Sequence, residues 1–412
     1  MQRSGGAAIP MQLNSEALKR VSYLTGSAET AAQLPAVAAK QPFDDSIVEF
    51  LNDVSKELLG NRAAKAYSDL VTFGFWLRKG SLKKLQERFE ARDGFLHLGK
   101  GVAFHVAPSN VPVNFAYSLA AGLLMGNANV VRVPSKDFDQ VRILTDIFNH
   151  ILEKHPEMTP HVLCVRYGRD KEINDLFSSI ADVRVVWGGN QTIAELRKSP
   201  LPPRSGEITF ADRYSLAVID ADSYLAIENK VRVAEDFYND TFFSDQNACT
   251  SPRIVVWTGK RIEEAKRIFW AEEHRLAEKK YTFQPIQGVN KLVKSCLIAA
   301  AEPGVKVAEH EDNLIIRVTV PKITDVLMDF RDNSGYFYEY DCENILDLVP
   351  LCNDKRCQTI AYIGDKNVVN PLIQTGVKGI DRVVPMGKTM DFDLIWDGYN
   401  LPALLCRTIV LT

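Results

Sequence analysis

The sequence predicts an α/β protein whose first half forms a doubly wound parallel sheet. From residue 101 onwards, short apolar runs alternate with segments of helical character, and the runs are GVAFHVA, NVVRVPS, VLCVRY and VRVVW. They are rich in β-branched residues, and amphipathic stretches separate them, as in FDQVRILTDIFNHILEKH. Strand, helix and strand within about 35 residues is the βαβ pattern, and sheets built from it commonly bind nucleotides.

The length of 412 residues exceeds what one hydrophobic core usually serves, so we expect two domains. We predict N-terminal helices and a dinucleotide-binding domain over 1–213, and an α/β catalytic domain over 214–390 that begins with the strand SLAVID. A C-terminal segment over 391–412 either packs back or contacts a neighbouring subunit. Within these parts we predict one helix over 44–60 that Gly60 ends, and one helix over 223–239.

Composition excludes several classes of protein. Lys and Arg number 49 against 52 Asp and Glu, a net charge of −3, which argues against binding nucleic acid or a membrane surface. No apolar stretch approaches the roughly 20 residues of a membrane span, and the N-terminus lacks a signal-peptide pattern, so we expect a cytoplasmic location. Seven scattered cysteines without CxxC, and histidines without metal spacing, predict reduced thiols and no metal site.

Two loops carry candidate chemistry. In the first, APSNVP at 107–112, prolines flank Asn110 and restrict the backbone between a strand and a helix. The Asn110 amide can donate a hydrogen bond at the carboxyl edge of the sheet, or it can simply cap the following helix.

The second loop is SDQNACTSPR at 244–253, which precedes the apolar run IVVW. Cys249 stands among small and polar residues, which favours accessibility, and turn amides with Arg253 nearby favour its thiolate. An isolated cysteine is nevertheless more often inert than catalytic.

Together the loops resemble those of the aldehyde dehydrogenase superfamily, which carries a PxN loop and a QxC loop. Within it, DQNACTSPR, CQTIAYIG at 357–364 and GIDRVVPMGKTMDF with WDGYNL at 379–401 resemble the LuxC-like acyl-CoA reductases. Several motifs in one order are more specific than any single motif. The resemblance covers about residues 95–412.

The resemblance implies a fold and a chemistry. The fold is aldehyde dehydrogenase-like, with Cys249 as the nucleophile that forms an acyl-enzyme and the Asn110 amide as an oxyanion donor. The reaction is NADPH-dependent reduction of an acyl thioester, carried by coenzyme A or an acyl carrier, to an aldehyde.

One departure from the superfamily bears on the direction of the reaction. Oxidising members carry an ELGG motif whose glutamate activates water, whereas the aligned stretch here is Thr209-Phe210-Ala211-Asp212. The absence of that glutamate favours reduction, with Glu207 or Asp212 left as a displaced base. The alternatives are an oxidising aldehyde or semialdehyde dehydrogenase, and a non-catalytic nucleotide-binding member of the fold.

The resemblance also assigns cofactor contacts. Where the superfamily has KPSE, this chain has Val133-Pro134-Ser135-Lys136, preceded by Arg132. Without the acidic residue, and with cations beside it, the segment predicts NADPH over NADH, although the cations can also be ordinary surface charges.

The remaining cofactor contacts follow the superfamily's turns. The site residues predicted for the cofactor are Pro108, Arg132, Pro134, Ser135, Lys136, Gly188 and Gly189, the last two in a turn that opens a helix. For the nicotinamide ribose, Glu339 and Glu343 are candidates.

The resemblance finally implies partners. In luminous bacteria such reductases work with an acyl-protein synthetase, and superfamily members are usually oligomers. The apolar CRTIVLT at 406–412 is a candidate edge contact for a homo-oligomer, or a core strand of the same subunit.

Overall fold

The computed structural model describes residues 15–90, 95–308 and 312–411. The chain divides into two compact units, and the break between their main parts falls between Ala211 and Asp212. The first unit comprises Met1–Ala211, Phe392–Ile395 and Tyr399–Thr412, and the second Asp212–Asp391 and Trp396–Gly398. The C-terminal segment is therefore shared between the units.

The first unit holds nine helices and seven strands among its described residues up to position 211. The helices are α1 (Ser15–Lys19), α2 (Ala28–Gln33), α3 (Asp45–Gly60), α4 (Ser68–Trp76), α5 (Lys79–Glu90), α6 (Asn114–Leu124), α7 (Asp139–Lys154), α8 (Lys171–Ser179) and α9 (Asn190–Leu196). The strands are β1 (Ser22–Thr25), β2 (Leu96–Gly99), β3 (Val102–Val106), β4 (Ala128–Arg132), β5 (Val162–Arg166), β6 (Val183–Trp187) and β7 (Gly206–Phe210).

The first sheet has the strand order β1-β5-β4-β3-β6-β7, and all its neighbouring strands are parallel except β1, which is antiparallel to β5. This confirms the predicted doubly wound fold. The chain adds β4 and β5 on one side of β3 and then crosses to the other side for β6 and β7, so the strand order reverses at β3. Strands β1 and β7 are not predicted by the sequence pattern.

Helix α3 shows why the helical predictions succeeded. Asp44 caps its first turn by accepting from the Ser46 N–H at 3.1 Å, and its buried residues recur at helical spacing from Ile47 to Leu58. The helix ends at Gly60 as predicted.

A buried polar chain fixes α6 to the sheet. The Ser118 hydroxyl lies 2.7 Å from Nδ1 of His105 on β3 and accepts from the Trp187 indole at 3.0 Å. The other ring nitrogen of His105 lies 3.0 Å from the Asn129 Oδ1 on β4. Burial lowers the pKa of His105 to about 4, so the ring is neutral near pH 7. At Gly122 of α6 a Cβ would lie 1.9 Å from that Asn129 oxygen, so only glycine fits.

The second unit is built on a seven-stranded sheet. Its helices are α10 (Ala221–Ala226), α11 (Lys230–Asp240), α12 (Ile262–Lys280), α13 (Pro285–Ala301), α14 (Val349–Cys352) and α15 (Asn370–Gln374). Its strands are β8 (Tyr214–Asp220), β9 (Pro252–Thr258), β10 (Lys306–Val307), β11 (Ile316–Thr319), β12 (Tyr336–Asp341), β13 (Cys357–Ile363) and β14 (Arg382–Pro385).

The strand order is β10-β11-β12-β9-β8-β13-β14, with only β10 antiparallel to its neighbour. Side chains alternate between two cores: Leu216 and Val218 of β8 pack with α13, α14 and α15, whereas Ala217 and Ile219 pack with α10, α11 and α12. Helices therefore cover both faces, as a parallel sheet requires.

The single helix predicted over 223–239 is wrong, because the chain breaks into α10 and α11. The Asn229 side chain accepts from the Arg232 N–H at 2.9 Å and begins α11. The Lys230 ammonium donates to the carbonyls of Tyr224, at 2.5 Å, and Leu225, at 3.0 Å, in the last turn of α10. Both ends of the break are thus satisfied by adjacent side chains.

The C-terminal segment contains β15 (Ile395–Trp396), β16 (Tyr399–Asn400), α16 (Leu401–Leu405) and β17 (Cys406–Ile409). Strand β17 pairs antiparallel with β2 in a separate two-stranded sheet, so the expectation of a core strand is wrong. Beyond β17, Val410 and Leu411 are 63% and 74% exposed. Across residues 15–90, 95–308 and 312–411, no helix combines the length and the apolar character of a membrane span.

Candidate functional site

The first sheet brings the predicted cofactor residues to one edge. The loop with Pro108 and Asn110 follows β3, the segment from Pro134 to Lys136 follows β4, and the Gly188–Gly189 turn follows β6. Because these three strands are parallel neighbours, all three loops lie at their carboxyl ends, where the strand order reverses. Dinucleotides bind at such a position in doubly wound sheets.

Asn110 is an exposed residue of the β3–α6 loop. The N-cap of α6 is Val113, and no side chain caps this helix. The alternative that Asn110 serves as the helix cap is therefore wrong, and its amide is not needed for that role.

The two predicted cofactor cations, one at the end of β4 and one in the loop after it, differ in their contacts. Nη2 of Arg132 donates to the carbonyls of Tyr167 at 3.3 Å and Gly168 at 3.0 Å, and its guanidinium lies over the Tyr167 ring. The ammonium of Lys136 lies 5.0 Å from the centre of the Phe138 ring, and the residue is exposed. Lys136 is thus the more available cation for an anionic ligand.

The turn after β6 leaves space beside its backbone. A Cβ at Gly189 would meet nothing within 4 Å, whereas one at Gly188 would lie 3.1 Å from Thr192. The Trp187 ring stacks on Phe210 with 3.6 Å between the centroids. The carbonyl of buried Pro134 accepts a hydrogen bond from the Arg166 side chain at 3.2 Å, whereas Ser135 is exposed.

In the second unit, Cys249 lies at the amino ends of the strands, whereas the predicted cofactor loops of the first unit lie at the carboxyl ends of theirs. Cys249 precedes β9, whose neighbours in the sheet are β12 and β8, followed by β13 and β14. The residues around the Cys249 loop lie just before these parallel strands or at their first positions, and therefore at their amino ends. The apolar run after Cys249 predicts β9, but the sequence does not indicate which strands flank it.

Gln246 supports the Cys249 loop from inside. Its fully buried side chain donates to the carbonyls of Pro252 at 3.2 Å and Tyr336 at 3.4 Å. Its oxygen accepts from the N–H groups of Gly335 at 2.7 Å and Tyr336 at 3.2 Å. Gln246 and the preceding Asp245 both have φ of 51°, the left-handed region that is costly for such residues.

Arg253 has a structural role in addition to the predicted one, since its charge lowers the pKa of Cys249 as a minor influence. Its buried guanidinium donates to the carbonyls of Gln246 and Asp332 and to the Asn333 side chain. Burial lowers the pKa of this guanidinium to about 10. The Asn333 amide also donates to the Asn247 Oδ1 at 2.7 Å, which joins the loop to the chain before β12.

The thiol of Cys249 is half-buried. Burial raises its pKa, and the negative charges of Asp397 and Asp212 add to this rise. The backbone N–H of Arg213 acts in the other direction as a hydrogen-bond donor to the sulfur. The predicted stabilisation of the thiolate by Arg253 is correspondingly outweighed.

Neither carboxylate considered as a displaced base is unpaired. Glu207 lies on β7, where Arg197 at 2.7 Å and Arg184 at 2.5 Å hold its oxygens and keep its pKa low despite its burial. In the second unit, Asp212 pairs with Arg331 at 2.6 Å.

The two candidates for the nicotinamide ribose lie in different settings, one inside β12 and one after it. Glu339 is buried within β12 and accepts from the indoles of Trp257 and Trp270 at 3.0 and 2.6 Å. Glu343 follows the carboxyl end of β12, whereas Cys249 precedes the amino end of the parallel β9. A seven-residue strand spans about 20 Å, so Glu343 and Cys249 lie at opposite edges.

Four residues form a cluster near the amino ends of β8, β13 and β14 and were not singled out from the sequence, although three of them belong to its quoted motifs. They are Arg213, Gln358 of CQTIAYIG, Asp381 of GIDRVV and Asp397 of WDGYNL. The Arg213 guanidinium pairs with the Asp381 carboxylate and donates to the carbonyls of Cys357 at 3.0 Å and Asp397 at 3.4 Å. The Gln358 amide donates to the Asp397 carboxyl. Over the described ranges, no three His, Cys, Asp or Glu side chains form a group able to hold a metal ion.

The class of fold follows from solved structures. Over 93% of the chain the structure is similar to 1-pyrroline-5-carboxylate dehydrogenase of Thermus thermophilus, with a TM-score of 0.63, 12% identity and coverage of 85% of that protein. Over 97% it is similar to an NAD-dependent benzaldehyde dehydrogenase of Corynebacterium glutamicum, with a TM-score of 0.61, 15% identity and 95% coverage. The chain has an aldehyde dehydrogenase-like fold.

The family follows from sequence. Residues 78–283, half of the chain, match the family model described as acyl-CoA reductase (LuxC), and the chain belongs to this family. It is 22% identical over 315 residues to the long-chain acyl-protein thioester reductase of Aliivibrio fischeri, and 25% over 297 residues to that of Vibrio harveyi. These matches cover 75% and 70% of this chain but only 63% and 59% of the relatives, so the chain matches less than two thirds of their length.

Proposed function

We propose that the protein reduces an acyl thioester to an aldehyde through an acyl-enzyme on Cys249, with NADPH as the reductant. The observation that carries the proposal is the setting of Cys249. The half-buried thiol lies on a loop that the buried side chain of Gln246 holds by hydrogen bonds. Thr209 stands at the aligned position of the ELGG glutamate, which activates water for hydrolysis of the acyl-enzyme in oxidising members of the superfamily. Membership in the acyl-CoA reductase family supports the same reaction.

The chemistry assigned to the chain's own residues is acyl transfer. The Cys249 thiol loses its proton, the sulfur bonds to the acyl carbon, and the carbonyl oxygen becomes an oxyanion. The amide of Asn110 and the backbone N–H of Cys249 are proposed to stabilise that oxyanion. The bond to the departing thiolate then breaks, and this thiolate takes up a proton.

The carboxyl edge of the first sheet suits a dinucleotide. It offers exposed loops where the strand order reverses, and open space beside the Gly189 backbone for a close approach. When bound, a nicotinamide cofactor would supply the hydride that converts the acyl group to the aldehyde level and lets Cys249 recover as a thiol with one proton from solvent. The exposed Lys136, with help from Arg132, is proposed to favour NADPH by attracting its 2′-phosphate.

The acyl donor is proposed to be a coenzyme A or protein thioester, because the named relatives are acyl-protein thioester reductases. An acyl-protein synthetase as partner and a homo-oligomeric assembly remain part of this proposal.

The test is to follow NADPH and NADH oxidation with a series of acyl-CoA thioesters and to identify the product. We expect acyl-dependent cofactor oxidation, one aldehyde per NADPH, and loss of activity in Cys249→Ala but not in Cys296→Ala, whose thiol is exposed on α13. We also expect Asn110→Ala to lower kcat by about 10²–10³-fold. Oxidation of an aldehyde to free acid without an added thiol, in place of acyl reduction, would support an oxidising dehydrogenase instead.

A further inference from the structure

Ser215 connects Cys249 to a second strand of the same sheet. It is the second residue of β8, which lies between β9 and β13, and its side chain is fully buried. The Ser215 hydroxyl donates to the carbonyl of Cys249 at 2.7 Å and accepts from the Thr359 N–H of β13 at 3.2 Å. One hydroxyl therefore joins the main chain of Cys249, which precedes β9, to β13 on the far side of β8.

The sheet is irregular on both sides of Ser215. On the β9 side, residues 252 and 254 pair with 215 and 216, so one residue of β9 is extra. On the β13 side, residues 357 and 360 pair with 214 and 216, so two residues of β13 lie opposite Ser215. An extra residue of this kind disrupts the ladder of main-chain hydrogen bonds, and such bulges are common beside active sites. The Ser215 hydroxyl lies between the two interruptions and makes a hydrogen bond to a main-chain group on each side.

The consequence for Cys249 follows from the planarity of the peptide unit. The Cys249 carbonyl belongs to a rigid unit that also contains the Cα of Cys249, so holding the oxygen restricts the direction in which the side chain leaves the main chain. The nitrogen that carries the proposed oxyanion donor is bonded to the same Cα. Gln246 holds the loop three residues earlier, whereas Ser215 contacts Cys249 itself.

Acyl transfer is sensitive to a restraint of this kind. The sulfur must approach the acyl carbon in one orientation while the N–H of Cys249 meets the oxyanion, and a misplacement of about 1 Å can cost about 10²-fold in rate. Alkylation of a thiol by a small reagent has no such requirement, because no oxyanion forms and the reagent can approach from any open side. The two reactions therefore separate the alignment of the thiol from its accessibility.

We propose that Ser215 is a positioning residue for acyl transfer, whose hydroxyl fixes the main chain of Cys249 against β13. Loss of this hydroxyl leaves the thiol in the protein but removes the alignment of its sulfur and its N–H with the acyl carbonyl. Ser215 is fully buried and acts through the Cys249 carbonyl rather than on the acyl group. This inference rests on the proposed role of Cys249 as the nucleophile and deepens it by naming a residue outside the Cys249 loop.

The experiment compares two reactions of Cys249, each followed on its peptide by mass spectrometry: acylation in a single turnover with saturating long-chain acyl-CoA, and alkylation by iodoacetamide. Ser215→Thr and Ser215→Val are the decisive pair, because threonine and valine have nearly the same shape and only threonine keeps the hydroxyl. We expect Ser215→Val and Ser215→Ala to acylate about 10- to 100-fold more slowly than the wild type, and Ser215→Thr to stay within about threefold. The KM for acyl-CoA and the alkylation rate should change by less than about twofold in every variant.

The matched control is Thr258→Val. Thr258 ends β9, and its hydroxyl donates to the carbonyl of Ile219 on β8 at 3.5 Å, at the opposite edge of the same two strands. This variant should acylate as fast as the wild type. The inference is overturned if Ser215→Thr and Ser215→Val acylate at equal rates, if Thr258→Val is slowed as much as Ser215→Val, or if alkylation changes as much as acylation, since a loosened loop affects both reactions. If the wild type itself takes no acyl group, the proposed function fails and the inference fails with it, whereas a wild type that is acylated without these differences overturns the inference alone.

Discussion

Replacing Gln246 with alanine should strongly destabilise the second unit, because this side chain joins the Cys249 loop to the start of β12. The substitution removes two donated and two accepted hydrogen bonds, all to buried backbone groups of residues 252, 335 and 336. A buried polar group left without its partner costs about 1–3 kcal/mol, and water can reach some of the four groups in the new cavity. We therefore expect a loss of about 3–5 kcal/mol in the free energy of unfolding.

Urea unfolding of the wild type and of Gln246→Ala measures this loss, followed by the fluorescence of tryptophans such as Trp257 and Trp270 in the core of the second unit. Gln86→Ala is the control, because the Gln86 amide on α5 donates to the exposed Glu90 four residues further along the same helix. The control should change the free energy of unfolding by less than about 0.5 kcal/mol. A loss below about 1 kcal/mol for Gln246→Ala would refute the account of Gln246 as the support of the loop.

Three other predictions concern separate parts of the chain. Glu273 is buried on α12, with no partner for either carboxyl oxygen among the described residues, and burial raises its pKa well above the ordinary value. The unfolded chain ionises this group at lower pH than the folded one, so the free energy of unfolding falls as pH rises above about 4.5. In urea unfolding, Glu273→Gln should therefore gain roughly 1–3 kcal/mol at pH 8 and much less at pH 5. An equal gain at both pH values would contradict this. Lys136→Glu should raise the KM for NADPH about tenfold or more and leave that for NADH nearly unchanged; equal changes would remove Lys136 from the 2′-phosphate site. Val410→Asp, beyond the exposed end of β17, should lower the molar mass of an oligomer in light scattering, and an unchanged mass would exclude this edge from the interface.

The sequence predicted the sheet strands that are apolar runs between amphipathic helices. Strands β3, β4, β5, β6, β8 and β9 are of this kind, because a parallel strand buried on both faces reads as a continuous apolar run. Strand β7, with the sequence GEITF, is not predicted because polar residues occupy its partly buried positions, where Glu207 pairs with two arginines. The break between α10 and α11 depends on contacts of Asn229 and Lys230 that propensity does not reveal.

The candidate site was predictable where its residues lie within one motif. Cys249 and Gln246 share a loop, and the three loops at the carboxyl edge of the first sheet each follow a recognisable strand. Arg213, Asp381 and Asp397 are far apart in sequence and meet only because β8, β13 and β14 are neighbours, an order that hydrophobic periodicity does not specify. The proximity of Arg253 in sequence correctly indicated an electrostatic effect on the thiol, but it did not indicate that the side chain donates to the carbonyls of Gln246 and Asp332.

The most direct test of the central claim is to trap the acyl-enzyme. The protein is incubated with a long-chain acyl-CoA without a reduced cofactor, denatured in acid and digested, and the acylated peptide is identified by mass spectrometry. The account predicts one acyl group per chain on Cys249, released as aldehyde when NADPH is added before denaturation and absent from Cys249→Ala. An acyl group on another residue, or NADPH-dependent aldehyde formation by Cys249→Ala, would contradict it.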